Sequence, residues 1–240
     1  MTNEEEKAID LNQLGISAFR MGDVEGALQY FHEAEKLMSS VVREAVRTGR
    51  RMDLGNWLII LDHLGYVYLE LGNLGVAYRW SSLATQKAEE ILGSDHRDVG
   101  TFYGNHGQVL LAQKAYGSAE EYFRRALNSL KGHLPDDAPE CMDQIHSLAS
   151  VKMALGDYVS AVDMFTIVLS NQERTLGSTH LTLISTLSQL SFAHVSCGRW
   201  ELAEKAAERA VEIARHSLGA EHPTTVDMEE RLRMLKQQAP

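Results

Sequence analysis

Apolar residues recur along this chain at the three- and four-residue spacing of amphipathic helices, and the pattern itself returns at a fixed interval. Between residues 57 and 71, Leu61, Leu64, Gly65 and Tyr68 share one helical face. Gly72-Asn73 interrupts the run, and a second helix is predicted from about Leu74 to Leu92. Gly65, Gly107, Ala149 and Ser191 each lie 42 residues after the last, in step with Ala77, Ala119, Ala161 and Ala203. Gly15 and Ala27 head the two series 50 residues upstream, so the first unit carries eight extra residues. Two small-residue series in register predict repeated helix pairs, A and B, whose backbones approach closely and stack as a solenoid.

Each unit reads as helix A, a short turn, helix B and a longer loop. Gly22-Asp23, Gly72-Asn73, Gly156-Asp157 and Gly198-Arg199 occupy the turn in four units, where glycine ends a helix in the left-handed conformation without strain. The third unit has Lys114-Ala115, which predicts a looser or differently built turn. Val24, Leu74, Tyr116, Tyr158 and Trp200 follow the turns and are placed to pack back on helix A. Further along helix B, Phe31, Phe123 and Phe165 share one slot that Ser81 and Ala207 fill in the other two units. Ala34, Ala84, Ala126, Val168 and Ala210 complete the pattern.

Over residues 8–235 this pattern resembles the tetratricopeptide repeat (TPR): a Leu-Gly pair in helix A, a Gly-Asp turn, then a small residue, an aromatic and another alanine. The loops Leu92-Gly93-Ser94-Asp95-His96, Leu176-Gly177-Ser178-Thr179-His180 and Leu218-Gly219-Ala220-Glu221-His222-Pro223 are similar to those of the kinesin-light-chain subtype. In the third unit Leu134-Pro135-Asp136-Asp137-Ala138-Pro139 takes that place. The light chain's long heptad region is absent, so identity with that motor subunit is not implied. The resemblance implies an all-α, right-handed solenoid forming one domain over 1–240. Its repeats fall near 4–52, 53–95, 96–137, 138–179 and 180–222, closed by a capping helix at 224–237.

The ends read as finished. Asn3 with Glu6 fits a capping box for the first helix. The small-residue series reaches Arg233, which blocks a further close-packed helix. Met228, Leu232 and Leu235 keep one apolar stripe under a polar outer face, as a solenoid cap needs. The expectation is therefore a complete small protein. The excess in unit one falls around Ser39 to Asn56, with Arg43, Arg47, Arg50 and Arg51; a prolonged helix B with a solvated basic face is weighed there against a local anion or partner contact.

Composition narrows the function. A formal net charge of −10 argues against unspecific nucleic-acid binding and against anionic lipid, both of which need basic surface. No apolar run is long enough to span a membrane, and the acidic N-terminus lacks the features of a signal peptide. With two cysteines, Cys141 and Cys197, a reduced cytoplasmic setting follows. His96, His180 and His222 recur about a repeat apart, too far to share a metal, and are expected to hydrogen-bond helix ends. His63 and His106 lie on adjacent A helices and could approach, but no Cys or carboxylate stands at ligand spacing. No phosphate loop, nucleophile elbow or zinc-protease motif occurs. No metal, no cofactor and no enzymatic activity are expected.

In TPR proteins the A helices line the concave face, where peptides bind. Carried over, this implies a groove of Asn12, Ile16 and Arg20; Asp62, Tyr66 and Glu70; Asn105 and Gln108; His146 and Ser150; and Ser188 and Phe192. The charged clamp that holds acidic C-terminal tails is missing, because its slots hold Asn12, Ile16, Tyr66, Gly104 and Gln108. The expected partner is a protein or peptide, neutral to basic, with Tyr66 and Phe192 as anchors. A peptide-sensing regulator and a self-assembling structural protein are the alternatives, so homo-oligomerisation stays open.

Overall fold

Helix pairs fill the chain, as the apolar spacing predicts. The computed structural model describes residues 1–238; eleven α-helices and no strand occur among them. The helices gather into two compact units, one running from Met1 to His133 and one from Leu134 onward. The first holds α1 (Asn3–Arg20), α2 (Val24–Thr48), α3 (Gly55–Glu70), α4 (Leu74–Leu92), α5 (Arg97–Ala112) and α6 (Tyr116–Lys131). The second holds α7 (Pro139–Ala154), α8 (Tyr158–Leu176), α9 (Leu183–Ser196), α10 (Trp200–Leu218) and α11 (Pro223–Gln238). Odd-numbered helices from α1 to α9 are the A helices and the even-numbered ones the B helices. The helix predicted at 224–237 is α11, one residue longer at each end.

The two small-residue series do what their spacing implies. Ala27, Ala77, Ala119, Ala161 and Ala203 are all fully buried. A Cβ added to Gly15 would lie 2.6 Å from the Phe31 ring, and one on Gly107 would lie 2.8 Å from Phe123. At Gly65 the nearest atom would instead be the Ser81 backbone nitrogen, at 3.1 Å. Small residues on helix A thus make room for a ring in units one and three, and for the neighbouring backbone in unit two.

At the turns, Gly22, Gly72, Gly156 and Gly198 have φ between 70° and 83°. The third turn is not looser. Lys114 adopts φ 62°, and its following amide reaches the Leu110 carbonyl at 2.9 Å, matching Asn73 to Tyr68 at 2.9 Å in unit two. Packing on both sides fixes this reversal, so the lysine accepts a left-handed backbone that costs roughly 1 kcal/mol.

Two further expectations shift. The capping box is Thr2 with Glu5, one residue earlier than read: Glu5 N–H donates to Thr2 Oγ1 at 3.2 Å and Thr2 N–H to Glu5 Oε2 at 2.5 Å. Both pairs satisfy the spacing; Arg50 Nη2, donating to Glu5 Oε1 at 2.9 Å, favours the earlier one. The excess of unit one lengthens α2 to 25 residues, ended by Gly49 at φ 68°. Its basic cluster is partly internal to the unit, since Arg47 pairs with Glu44 and Arg50 with Glu5.

Candidate functional site

The helix B slot that holds phenylalanine in three units and a small residue in two marks two openings on the A-helix side. Phe31, Phe123 and Phe165 are buried and fill the space beside the preceding A helix. Where Ser81 and Ala207 stand instead, no ring fills that slot. Each of these two residues lines a cavity on the A-helix side.

The first cavity, of about 180 Å³, is lined by Asp62, Gly65, Tyr66, Leu69 and Glu70 of α3, Ser81 of α4, and Asn105, Gln108 and Val109 of α5. Five predicted groove residues, Asp62, Tyr66, Glu70, Asn105 and Gln108, therefore meet at one place. Asn105 Nδ2 donates to Asp62 Oδ2 at 2.7 Å. Burial pushes the Asp62 carboxyl up to about 7, against which the Asn105 hydrogen bond pulls only partly back. Tyr66 braces its ring edge-on against Phe19 of α1, 5.6 Å between centroids. Burial, then the charge and hydrogen bond of Glu70, raise the Tyr66 hydroxyl above its usual range. The walls carry two carboxylates and no lysine or arginine.

The second cavity, of about 220 Å³, lies among α9, α10 and α11. Ser188, Ser191, Phe192 and Val195 come from α9, Ala207 and Ala210 from α10, and Met228, Arg231, Leu232 and Leu235 from α11. The apolar stripe read as a cap is thus also a wall. Ser191 Oγ donates to the Ala203 carbonyl at 2.9 Å, which ties α9 to α10 and turns the hydroxyl away from solvent. Ser188 and Phe192 are the two predicted residues here; the Phe192 ring is 56 % exposed and meets Tyr158 edge-on at 6.5 Å.

The remaining candidates lie outside both cavities. Asn12 is only 7 % exposed, and its Oδ1 lies 2.9 Å from His63 Nδ1, so it joins α1 to α3 rather than facing a ligand. Ile16 packs around Phe31 and Leu64, while Arg20 is exposed at the end of α1. His146 lies edge-on to Phe165 at 5.1 Å; burial lowers its basicity, and Ser150 donates to its carbonyl at 3.1 Å. The His146 contact follows from a slot occupied by phenylalanine, and the Ser150 bond is an ordinary one within its own helix. The sequence reading missed Leu69, Ser81 and Val109 in the first cavity, and Ser191, Val195, Ala207, Ala210 and the α11 residues in the second. The interrupted phenylalanine series was the signal that could have found them.

The three loop histidines that recur about a repeat apart serve the backbone. His96, His180 and His222 each accept an amide through Nδ1, from Asp98, Thr182 and Thr224 at 3.2, 3.3 and 3.2 Å. His63 and His106 do not pair. His106 is buried with Nδ1 2.8 Å from Ser81 Oγ, and burial holds it down at about 4. Cys141 is buried and Cys197 half-buried. Among the described residues no helix is long and apolar enough to cross a membrane, and no group of three or more His, Cys, Asp or Glu could hold a metal ion.

Comparisons with known proteins bear on the repeats and the fold. A family profile described as tetratricopeptide repeat matches residues 58–131 and 142–215. No curated protein matches the sequence significantly. Among solved structures, a Podosopora anserina kinesin-light-chain-like protein of nearly identical TPR-like repeats superposes with TM-score 0.73 at 18 % identity, covering 91 % of this chain and 99 % of that one. BtubC (BKLC) from P. vanneervenii gives TM-score 0.65 at 19 % identity, covering 93 % and 95 %. The apo form of RapI gives 0.76 at 16 % identity, covering 97 % and 77 %. At these identities the likeness concerns the fold.

Proposed function

The chain belongs to the tetratricopeptide repeat family, and from that premise we propose that it is a non-enzymatic adaptor which holds a neutral-to-basic protein segment on the faces of its A helices. The fold supports a protein–protein interaction module in general terms. The observation that carries the finer reading is the convergence of Asp62, Tyr66, Glu70, Asn105 and Gln108 on one cavity. Its carboxylates favour a partner without net negative charge, and Tyr66 and Phe192, 46 % and 56 % exposed, are the apolar anchors. Tyr66→Ala combined with Phe192→Ala should abolish partner recovery in an affinity pull-down, with helicity and melting temperature nearly unchanged. Undiminished recovery of the same partners would refute the assignment.

A further inference from the structure

Resting on that reading, we propose that the cavity between α3 and α5 is a receptor for a single lysine side chain of the bound protein segment. The argument begins with shape. At about 180 Å³ the cavity has room for several waters, enough for the four methylenes and ammonium of a lysine. Tyr66, Leu69 and Val109 offer apolar walls for the stem, which lysine habitually buries while keeping its head group solvated or paired.

The head group is specified by donors and acceptors. Asp62 Oδ2 already accepts from Asn105, which leaves Oδ1 for the ligand. An ammonium carries three donors and no acceptor. It can take Asp62 Oδ1 and the Asn105 side-chain oxygen, with Glu70 adding negative charge at the mouth. A guanidinium's flat fork favours both carboxylate oxygens at once and would have to share Oδ2 with Asn105, whereas an ammonium needs only Oδ1. The absence of lysine and arginine from the walls means that no cation of the protein's own competes. Burying Asp62 carries a desolvation cost, expressed in its raised pKa, and a bound ammonium offsets that cost with a counter-charge at short range.

The test is a titration of the full, isotope-labelled chain followed by amide chemical shifts. The probe is Nα-acetyl-lysine methylamide, compared with the arginine and norleucine analogues and with alanine methylamide bearing a free α-amine. The lysine probe should give saturable shifts at Gly65, Tyr66, Asn105 and Val109 below ~50 mM, and at least tenfold weaker ones should follow for the other three. Asp62→Asn should remove the response, and Glu70→Gln should weaken it two- to threefold. Equal shifts from norleucine, arginine or the α-amine overturn the proposal, as does an unchanged response in Asp62→Asn. So does a lack of saturable shifts in the unaltered chain, a result that decides the matter even if the variant fails to fold. Partner recovery by the Tyr66→Ala, Phe192→Ala variant separates the two readings. If that variant loses the partner while the lysine titration is silent, the groove stands and the lysine pocket falls; if it keeps the partner, the groove itself is wrong.

Discussion

The repeat formed by α3 and α4 and the repeat formed by α5 and α6 share a turn geometry, a buried alanine series and a glycine on helix A, yet Gly65 of the first lines a cavity while Gly107 of the second lies against a ring. In α5–α6 the Phe123 ring lies against Gly107 and closes the space; in α3–α4 Ser81 stands in the ring's place and Gly65 meets backbone. The α9–α10 repeat makes the same subtraction with Ala207, and there the opening is apolar because α11 contributes Met228, Leu232 and Leu235. A tandem fold therefore writes its sites as omissions from its own consensus. The neighbouring helix then decides whether the opening is acidic or apolar.

The comparison can be broken by converting one kind of repeat into the other. Phe123→Ser should cost about 4 kcal/mol, the usual range for deleting a buried aromatic ring, and should be read as a lowered urea midpoint. A loss below about 1 kcal/mol would mean that the ring does not seal the α5–α6 repeat. Next in size is a pH effect confined to the open repeat. Burial raises Asp62 to about 7, above the unfolded carboxyl, so its contribution to stability is full below about pH 4 and is lost as pH rises through 7. Tyr66 and Glu70 of α3 and Asn105 and Gln108 of α5 share its cavity. Asp62→Asn should therefore gain stability over the unaltered chain between pH 4 and 7, by roughly 2 kcal/mol, and the gap should be flat above. Urea unfolding across that range measures it; a constant gap would place Asp62 in water. Smallest is Lys114→Gly, which relieves a left-handed lysine and should stabilise by roughly 1 kcal/mol, raising the melting temperature by a few degrees.

Much of this was legible in the residues, for identifiable reasons. The 42-residue step fixes helix pairing because close approach tolerates only small side chains, and the second helix of unit two has the bounds Leu74–Leu92 that the spacing predicts. Ser81 and Ala207 were visible as exceptions, but the opening beside them depends on helix separation, which no spacing encodes. The Asp62–Asn105 hydrogen bond was hidden for the same reason: each residue maps to an A-helix face, while the register of α3 against α5 comes from packing. Lys114 misled because local propensity argues against a left-handed lysine and tertiary packing overrides it. Asn12 misled differently, since an inward-facing slot on the first A helix is exposed only if the next A helix leaves it so, and His63 does not.

The central claim is that the A-helix faces at the phenylalanine-free repeats are where a protein segment is held. The most direct measurement places a photo-activatable benzoylphenylalanine at Tyr66 or Phe192, and in separate proteins at the exposed B-helix positions Val46 or Ile167, then maps covalent adducts to the recovered partner. Adducts from Tyr66 and Phe192, with none from Val46 and Ile167, are the predicted result. Adducts from the B-helix positions alone would contradict it.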